Sequence, residues 1–377
     1  MTTATATATA PRALYTLHPK QAYALDLIWR ERIEQMLFGG AAGGGKSQWC
    51  RALAATLAIK WPGSTVGIFR RTDKELQDNH VKPWLEEIDA FVVGGRFFQQ
   101  KMEYHWPSPP WCWCSKGEPC VHSSITDFCH VDDNRGARKY QGAEFAAELV
   151  DEATHFRGAD LDFLYTRVRA SELDRNQHPV TGPDGKPYLY PGWPQWLKLQ
   201  ALTANPGDVG MQYMLDNYVE PLAGLATMEA QDEGDLLAVP RAITKGPTQL
   251  VHPELGLAVW EEPRGEGDYL RVDMRGGQMW TVEIDLGVRG KAEVRRAFVP
   301  SRLEDNPSLD PVEYAANLSV GSAENRRRLL DGDWSYSEDR IFKVLAKEIH
   351  LIDGGVVFGR DQTGAVRPPS ADLLRGI

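Results

Sequence analysis

The sequence predicts an α/β protein in which a mainly parallel β-sheet is covered by helices. Segments with apolar residues at helical spacing alternate with short, uninterrupted apolar runs. Such runs are typical of strands that are buried on both faces of a parallel sheet. Glycine and proline separate the two kinds of segment, as expected at the turns between helices and strands.

The elements follow in order along the chain. Helices are expected over 21–35 and 46–60, and buried strands over 36–38, 65–69, 149–150 and 197–202. Two stretches rich in proline, glycine and charge, 175–194 and 264–277, are expected to form long loops or hairpins.

The composition excludes some classes of protein. The formal net charge of −10 argues against a broadly basic surface, so any contact with nucleic acid must come from local patches. The sequence has no apolar run long enough to span a bilayer, and its N-terminus lacks the features of a signal peptide, so we expect a cytosolic protein without membrane contact. The Thr/Ala alternation over 1–12 has nothing to bury and is expected to form a disordered tail.

A phosphate-binding motif lies between the first expected strand and the second expected helix. Residues 40–47 fit the pattern G-x-x-x-x-G-K-[ST], whose backbone N–H groups surround phosphates. Lys46 is expected to reach the β and γ phosphates of ATP, and the Ser47 hydroxyl to ligate Mg²⁺. A glycine-rich turn that binds nothing is disfavoured, because Lys and Ser follow the last glycine. The expected ATP-binding residues of this segment are Gly40, Ala41, Ala42, Gly43, Gly44, Gly45, Lys46, Ser47 and Gln48.

Two adjacent acidic residues follow a later apolar strand. Asp151 is expected to hold Mg²⁺ through water, and Glu152 to polarise the attacking water as general base. Asp-Glu pairs are also common on solvated helices. The position of this pair, about a hundred residues after the phosphate loop, favours the functional interpretation.

Several further segments occur in an order that resembles one family, the large terminase subunits of tailed bacteriophages. The segments are 17–21, 67–72, 139–145, 203–207, 305–309, Tyr314 and 330–334, so the resemblance covers about 17–342. It implies that Gln21 contacts the adenine base and that Thr203, Ala204 and Asn205 couple loss of the γ-phosphate to movement. It also implies an arginine that acts on a neighbouring subunit, for which Arg138 is the first choice and Arg135 the second; a solvated loop arginine is the alternative.

The resemblance implies a fold and a function. The fold is a P-loop NTPase of the type with an additional strand and a catalytic glutamate. The function is a magnesium-dependent ATPase motor that drives double-stranded viral DNA into a procapsid. Its expected partners are DNA, a portal protein, a small terminase subunit and further copies of the chain in a ring. Its expected location is the host cytoplasm. A helicase-like or recombinase-like ATPase is the alternative, although its motifs are absent. Glu152 argues against a nucleotide-gated binding module with negligible turnover.

The expected organisation departs from the family at one point. We expect a P-loop ATPase core over 13–260 with an insertion at about 105–130, a lid or linker subdomain over 261–342, and a linker or truncated end over 343–377. Family members usually continue into a nuclease, but only 43 residues follow Trp334, so endonuclease activity is not expected of this chain. Asp285 resembles the first nuclease strand and is interpreted as a surface hairpin position.

Four cysteines and two histidines crowd into 112–130. A tetrahedral zinc site would use Cys112, Cys114, Cys120 and either His122 or Cys129. The spacing lacks paired Cys-x-x-Cys, however, which favours a metal-free, reduced hairpin over a zinc site.

Overall fold

The chain divides into one compact unit over Met1–Tyr336 and another over Ser337–Ile377. The computed structural model describes part of the first unit: residues 15, 17–89, 92–108, 123–132, 136–169, 178–181, 187–190, 198–220, 226–229, 236–240, 251–252, 257–258, 269–273, 277–285, 288, 290–319 and 326–334. The expected tail over 1–12 and the expected linker or truncated end over 343–377 lie outside the described residues.

The described residues include sixteen β-strands of two to eleven residues. In chain order they are β1 (Gln35–Gly40), β2 (Thr65–Arg70), β3 (Arg96–Phe98), β4 (Glu103–His105), β5 (Ile125–His130), β6 (Ala147–Val150), β7 (His178–Thr181), β8 (Pro187–Tyr190), β9 (Leu199–Ala204), β10 (Ala226–Glu229), β11 (Leu236–Pro240), β12 (Val251–His252), β13 (Leu257–Ala258), β14 (Tyr269–Asp273), β15 (Gln278–Asp285) and β16 (Lys291–Ser301).

The α-helices vary from three to fifteen residues. They are α1 (Pro19–Arg30), α2 (Lys46–Lys60), α3 (Asp73–Leu76), α4 (Lys82–Trp84), α5 (Gly158–Tyr165), α6 (Met211–Met214) and α7 (Pro311–Ser319). Wider π-helical turns continue three of them, at Gln77–Val81, Leu85–Asp89 and Leu215–Val219, and another lies at Arg327–Asp331. Tighter 3₁₀ turns lie at Gly136–Tyr140, Ala153–His155 and Leu303–Asp305.

One sheet organises the molecule, with the strand order β10-β15-β16-β1-β9-β6-β2-β5-β4-β3. The six strands from β16 to β5 are mutually parallel, and antiparallel strands extend the sheet at both edges. The strand β9 therefore lies between β1, which leads into the phosphate loop, and β6, which leads into the acidic pair. This inserted strand confirms the predicted P-loop fold of the additional-strand type.

Apolar side chains pack on both faces of the sheet. On one face α1 and α2 cover the strands, and the fully buried ring of Trp49 meets Phe38 edge-on at 5.1 Å between centroids. On the other face α5 and the turn after α6 supply Leu161, Leu164 and Tyr218 to a second buried cluster. Because both faces are covered, the central strands carry the uninterrupted apolar runs that the sequence shows.

The predicted elements agree with the structure in most places. The helix α2 spans 46–60 as expected, whereas α1 ends at Arg30, because Arg32 adopts a φ of 54° and the chain turns into β1. A hairpin of β7 and β8 lies within 175–194.

The segment assigned to a closing subdomain contributes to the main sheet. Asp285 ends β15 opposite Lys291 in a hairpin with β16, which agrees with the predicted hairpin position. The strand β16 then pairs with β1, so the proposed boundary at 260 lies before two strands of the ten-stranded sheet. None of the helices described above has the length and apolar character that crossing a membrane demands.

Candidate active site

The loop between β1 and α2 contains glycines that other residues could replace only with strain. Gly45 precedes α2 with a φ of 74°, and a Cβ there would lie 2.5 Å from Nε2 of Gln21. Gly43 has a φ of 79°, and a Cβ there would lie 2.9 Å from side-chain carbons of Leu303 and Tyr314. Left-handed backbone favours glycine. The loop thus leads tightly into the N-terminus of α2, where backbone N–H groups and the helix dipole favour an anion.

Lys46, the first residue of α2, is buried at this loop. Its Nζ donates a hydrogen bond to the carbonyl oxygen of Ala41 at 2.5 Å. Burial lowers the pKa of Lys46, and the negative charges of Glu152 and Asp151 oppose that shift. A buried cation at the N-terminus of a helix, beside a glycine-rich loop, is suited to attract a phosphate.

Asp151 follows β6 and accepts hydrogen bonds from four side chains. Its Oδ2 accepts hydrogen bonds from Ser47 Oγ at 2.8 Å, Arg70 Nε at 3.0 Å and His80 Nε2 at 2.8 Å. The Nη2 of Arg70 lies 2.9 Å from the same oxygen. Thr203 donates its hydroxyl to the other oxygen, Oδ1. The phosphate loop, β2, the π-helical turn at 77–81 and β9 thus meet at one carboxylate.

These contacts determine the ionisation of Asp151. Burial alone would raise its pKa, but the charge of Arg70 and the hydrogen bond from His80 outweigh burial and hold the pKa well below its ordinary value. The carboxylate is therefore anionic at neutral pH. Together with the Ser47 hydroxyl it offers two hard oxygen atoms, and Mg²⁺ in phosphate-binding sites takes one or two such protein ligands beside the phosphates. The residues present fit Mg²⁺.

Glu152 lies next to Asp151 but in a different environment. Its backbone has a φ of 52°, a conformation that is uncommon outside glycine. The side-chain amide of Asn205 donates to Oε1 at 3.0 Å and to Oε2 at 3.2 Å. Burial raises the pKa of Glu152, and the adjacent Asp151 raises it further, although Lys46 opposes this. The two neighbouring acids therefore differ in basicity, which suits one to a cation and the other to a proton.

A cavity of about 450 Å³ opens beside the phosphate loop. Glu152 and Asn205 line it on one side, and Asn306 and Tyr314 also contribute. The remaining lining residues are Ala42, Gly43, Gly44, Gly45, Lys46, Ser47, Gln48, Arg51, Asp78, Asn79 and Pro83. The volume is within the range of small-molecule sites, and the polar lining suits an anionic ligand.

In Gln21, the expected adenine contact, both the oxygen and the nitrogen of the side-chain amide form hydrogen bonds within the protein. Its Oε1 accepts from the backbone N–H of His18 at 2.8 Å, and its Nε2 donates to the carbonyl oxygen of Gly45 at 2.8 Å. Nε2 also lies 3.4 Å from Oε1 of Gln48. A contact with a base edge would require one of these hydrogen bonds to exchange.

The segment after β16 packs against α1 and the phosphate loop. Lys20 forms an ion pair with Asp305 at 2.6 Å, and Asn306 Nδ2 donates to the carbonyl oxygen of Gly43 at 2.5 Å. The backbone N–H of Ala42 donates to the carbonyl oxygen of Leu329 at 2.6 Å. These contacts join Asp305 to α1 and join Asn306 and Leu329 to the phosphate loop.

Arg138 and Arg135, the two arginines expected to act on a neighbouring subunit, and three other arginines near strand or helix ends lie in different settings. Arg138 is exposed on the 3₁₀ turn at 136–140, while Arg135 lies outside the described residues. Arg71 donates to the carbonyl oxygen of Val131 and Arg167 to that of Gln141. Of these arginines, Arg70 contacts the acidic pair.

The predicted zinc ligands Cys112, Cys114, Cys120 and His122 lie outside the described residues. Cys129, the alternative fourth ligand, is a free and buried thiol in β5. Within the described part of the chain, no group of three or more His, Cys, Asp or Glu side chains is arranged to hold a metal.

Sequence reasoning missed the contact between His80 and Asp151. A single histidine in a helical segment gives no signal of this kind, since its partner lies 71 residues away. The contact of Asn306 with Gly43 was equally hidden, because Asp-Asn-Pro is a common turn sequence.

The fold and the site together define a P-loop NTPase of the additional-strand class. The family model of the terminase large subunit, T4likevirus-type, N-terminal, matches residues 37–348, which is most of the chain. The chain belongs to the large terminase family.

Comparison with solved structures gives similar proteins at low identity. The large terminase of a thermophilic bacteriophage in complex with ADP is 11% identical, with a TM-score of 0.48 over 84% of this chain and 54% of that chain. The large terminase ATPase domain of Thermus phage P74-26 is 12% identical, with a TM-score of 0.39 over 84% of this chain and 99% of that chain. The chain therefore spans about half the length of the first of these structures. Comparison with curated proteins gives no match.

Proposed function

We propose that this chain is the ATP-hydrolysing motor part of a large terminase, which drives double-stranded viral DNA into a procapsid. One observation carries the proposal: Lys46, Ser47 and Glu152 line a single cavity at the phosphate loop, and Asp151 is bonded to Ser47 at its edge. A cation for phosphate, oxygen atoms for a metal and a carboxylate of raised pKa are the groups that ATP hydrolysis requires.

Each residue has a distinct role in this proposal. Lys46 binds the β and γ phosphates, and the backbone N–H groups of 43–47 surround them. Glu152 accepts the proton of the attacking water, for which its raised pKa is favourable. Asn205 holds the Glu152 carboxylate in one orientation through two hydrogen bonds.

Ser47 and Asp151 are the proposed ligands of Mg²⁺, directly or through water. The ion supplies charge neutralisation on the phosphates when it is bound. The low pKa of Asp151 keeps the carboxylate ionised across the physiological range of pH, so its affinity for a cation does not depend on proton release.

The segment Thr203-Ala204-Asn205 is proposed to couple hydrolysis to movement. Thr203 bonds Asp151 and Asn205 bonds Glu152, so the end of β9 touches both acids. The hydroxyl of Thr154 in turn donates to the backbone carbonyl oxygen of Asn205 at 3.0 Å. A change in the position of Glu152 after loss of the γ-phosphate would therefore reach the loop that follows β9.

The assembly is also part of the proposal. We assign Arg138 to the transition-state charge of a neighbouring subunit, in a homo-oligomeric ring on a portal protein, with a small terminase subunit as a further partner in the host cytoplasm. The exposure of Arg138 supports this assignment. Since the net charge is −10, DNA contact would depend on local basic patches.

The test is the rate of ATP hydrolysis by the purified chain with Mg²⁺, alone and then with double-stranded DNA and a portal protein. We expect hydrolysis that DNA and portal increase, and no hydrolysis by Lys46→Ala. Lys101→Ala, at an exposed turn, is the matched control. Absence of hydrolysis by the folded parent under all these conditions would overturn the proposal.

A further inference from the structure

His80 is a buried polar residue for which the proposed mechanism has no role. Its side chain is fully buried, and its Nε2 lies 2.8 Å from Oδ2 of Asp151. A metal-binding carboxylate is ionised and only accepts hydrogen bonds, so at this distance Nε2 of His80 is the donor. Within the described residues the other ring nitrogen, Nδ1, has no hydrogen-bond partner.

The backbone around His80 explains how it reaches Asp151. The residue lies in the π-helical turn at 77–81, which follows α3. A π-helical turn contains an extra residue and so changes the direction of successive side chains. Asp78 and Asn79 of this turn line the nucleotide cavity, while His80 points into the protein.

The turn is itself held in place from the cavity side. Arg51 of α2 donates to the carbonyl oxygen of Asn79 at 2.6 Å. The same guanidinium binds both carboxylate oxygens of Glu87, at 2.7 Å and 2.8 Å. The turn that carries His80 is therefore anchored through Arg51 to the helix that follows the phosphate loop.

The donors on Asp151 divide into two groups. Ser47 belongs to the nucleotide site, and its hydroxyl is the proposed metal ligand. Arg70, His80 and Thr203 are buried and donate to the carboxylate from inside the protein. Since two of these three donate to Oδ2, they fix the direction in which that oxygen meets Ser47.

We propose that His80 is a positioning residue, which orients the Asp151 carboxylate toward the divalent cation of the bound nucleotide. The inference rests on the proposed ATPase function. It assigns His80 as a residue that contacts the metal ligand Asp151 and does not itself contact the metal. Such partners of a ligand commonly change metal affinity by about 10-fold to 100-fold when they are removed.

The first test compares His80→Met with His80→Gln. The two replacement side chains have the same length, but only Gln retains an N–H donor near the position of Nε2. In His80→Met we expect the Mg²⁺ concentration for half-maximal hydrolysis to rise about 10-fold, with the rate at saturating Mg²⁺ much less affected. His80→Gln should remain close to the parent.

Binding of ADP separates this role from a general effect on the site. The gain in ADP affinity on adding Mg²⁺ should be smaller in His80→Met, whereas ADP affinity in EDTA should equal that of the parent. Equal loss in EDTA, or equal Mg²⁺ dependence in the Met and Gln variants, would overturn the proposal, because packing alone would then account for the effect.

A measurement on the parent protein does not depend on how well the variants fold. With ¹⁵N-labelled histidine, the Nε2 resonance assigned to His80 by its loss in His80→Gln should be that of a protonated nitrogen. An unprotonated Nε2 would refute the hydrogen bond to Asp151. A parent that hydrolyses no ATP would instead refute the proposed function and leave this resonance as a separate result.

Discussion

The side-chain amide of Asn205 donates to both carboxylate oxygens of Glu152, at 3.0 Å and 3.2 Å. The backbone N–H of Asn205 lies 3.4 Å from Oε2 of the same carboxylate. Glu152 follows β6 and Asn205 follows β9, so the pair joins two neighbouring strands at their C-terminal ends, where the cavity lies. The orientation of the proposed general base therefore depends on the strand that carries the proposed coupling segment.

The first prediction concerns this pair. Asn205→Ala removes both amide hydrogen bonds and leaves Glu152 free to adopt other orientations. We expect kcat for ATP hydrolysis to fall on the order of 10-fold to 100-fold, less than loss of the base itself, while ATP affinity stays unchanged. Gln212→Ala, which removes an exposed amide, is the control. A weaker ATP affinity with unchanged kcat would show that Asn205 acts in binding.

The second prediction separates binding from hydrolysis. Lys46→Ala removes a buried cation and should weaken ATP binding by about 10-fold to 100-fold, as expected for a charge-assisted hydrogen bond. Glu152→Gln should bind ATP as the parent does and lose about 10²-fold to 10⁴-fold in kcat. Equilibrium binding and steady-state rates measured on the same preparations test both. Hydrolysis at the parent rate by Glu152→Gln would exclude Glu152 as the base.

Much of the fold, the phosphate loop and the acidic pair could be predicted from the sequence. The phosphate loop and the acidic pair are local patterns whose residue types and order the chemistry dictates, and the helix α2 follows directly from the first. The strand order was implied only by a resemblance, because apolar periodicity does not specify which strands are neighbours.

The remaining contacts of the site could not be predicted, since they join residues that are distant in sequence. His80 and Asp151 are 71 residues apart, and Gly43 and Asn306 are 263 apart. Neither His80 nor Asn306 lies in a pattern that distinguishes it from an ordinary buried or turn residue. Only the packing of the π-helical turn and of the closing segment against the loop brings them to the site.

The third prediction concerns stability and pH. In the register of β4 and β5, Asp127 lies directly opposite Glu103. Burial raises the pKa of Asp127 to about 6, and the charge of Glu103 adds to this. The folded protein thus holds this proton more tightly than the unfolded chain, so the contribution of Asp127 to stability is present in acid and is lost as the pH rises through about 6.

Asp127→Asn should therefore raise Tm at pH 8 by a few degrees, and the gain should shrink toward pH 5. Thermal unfolding of parent and variant across this range provides the measurement. Glu144→Gln, which neutralises an exposed carboxylate, should show no such trend. A gain of the same size at pH 5 and pH 8 would contradict the role of the Asp127 charge.

The last prediction concerns the arginine proposed to act on a neighbouring subunit. The 3₁₀ turn that carries Arg138 is fixed to the protein, because the backbone N–H of Ala137 bonds Asp160 and the hydroxyl of Tyr140 bonds the carbonyl oxygen of His130. The arginine itself is exposed. Arg138→Ala should therefore leave folding and ATP affinity unchanged while it lowers the rate of hydrolysis, by up to about 10³-fold for an arginine of this kind.

Mixing two inactive variants tests whether Arg138 acts between subunits. Arg138→Ala retains Glu152, and Glu152→Gln retains Arg138, so a mixed assembly contains interfaces at which one subunit supplies the base and its neighbour supplies the arginine. We expect hydrolysis to appear on mixing, to rise with total protein concentration and to be largest near equal amounts of the two. Arg96→Ala, at an exposed position on the edge strand β3, should be active alone and gain nothing from Glu152→Gln. The contrary result is a mixture that remains as inactive as its components although the subunits associate. Arg138 then does not act in trans, because the mixed assembly contains interfaces with Glu152 on one subunit and Arg138 on its neighbour.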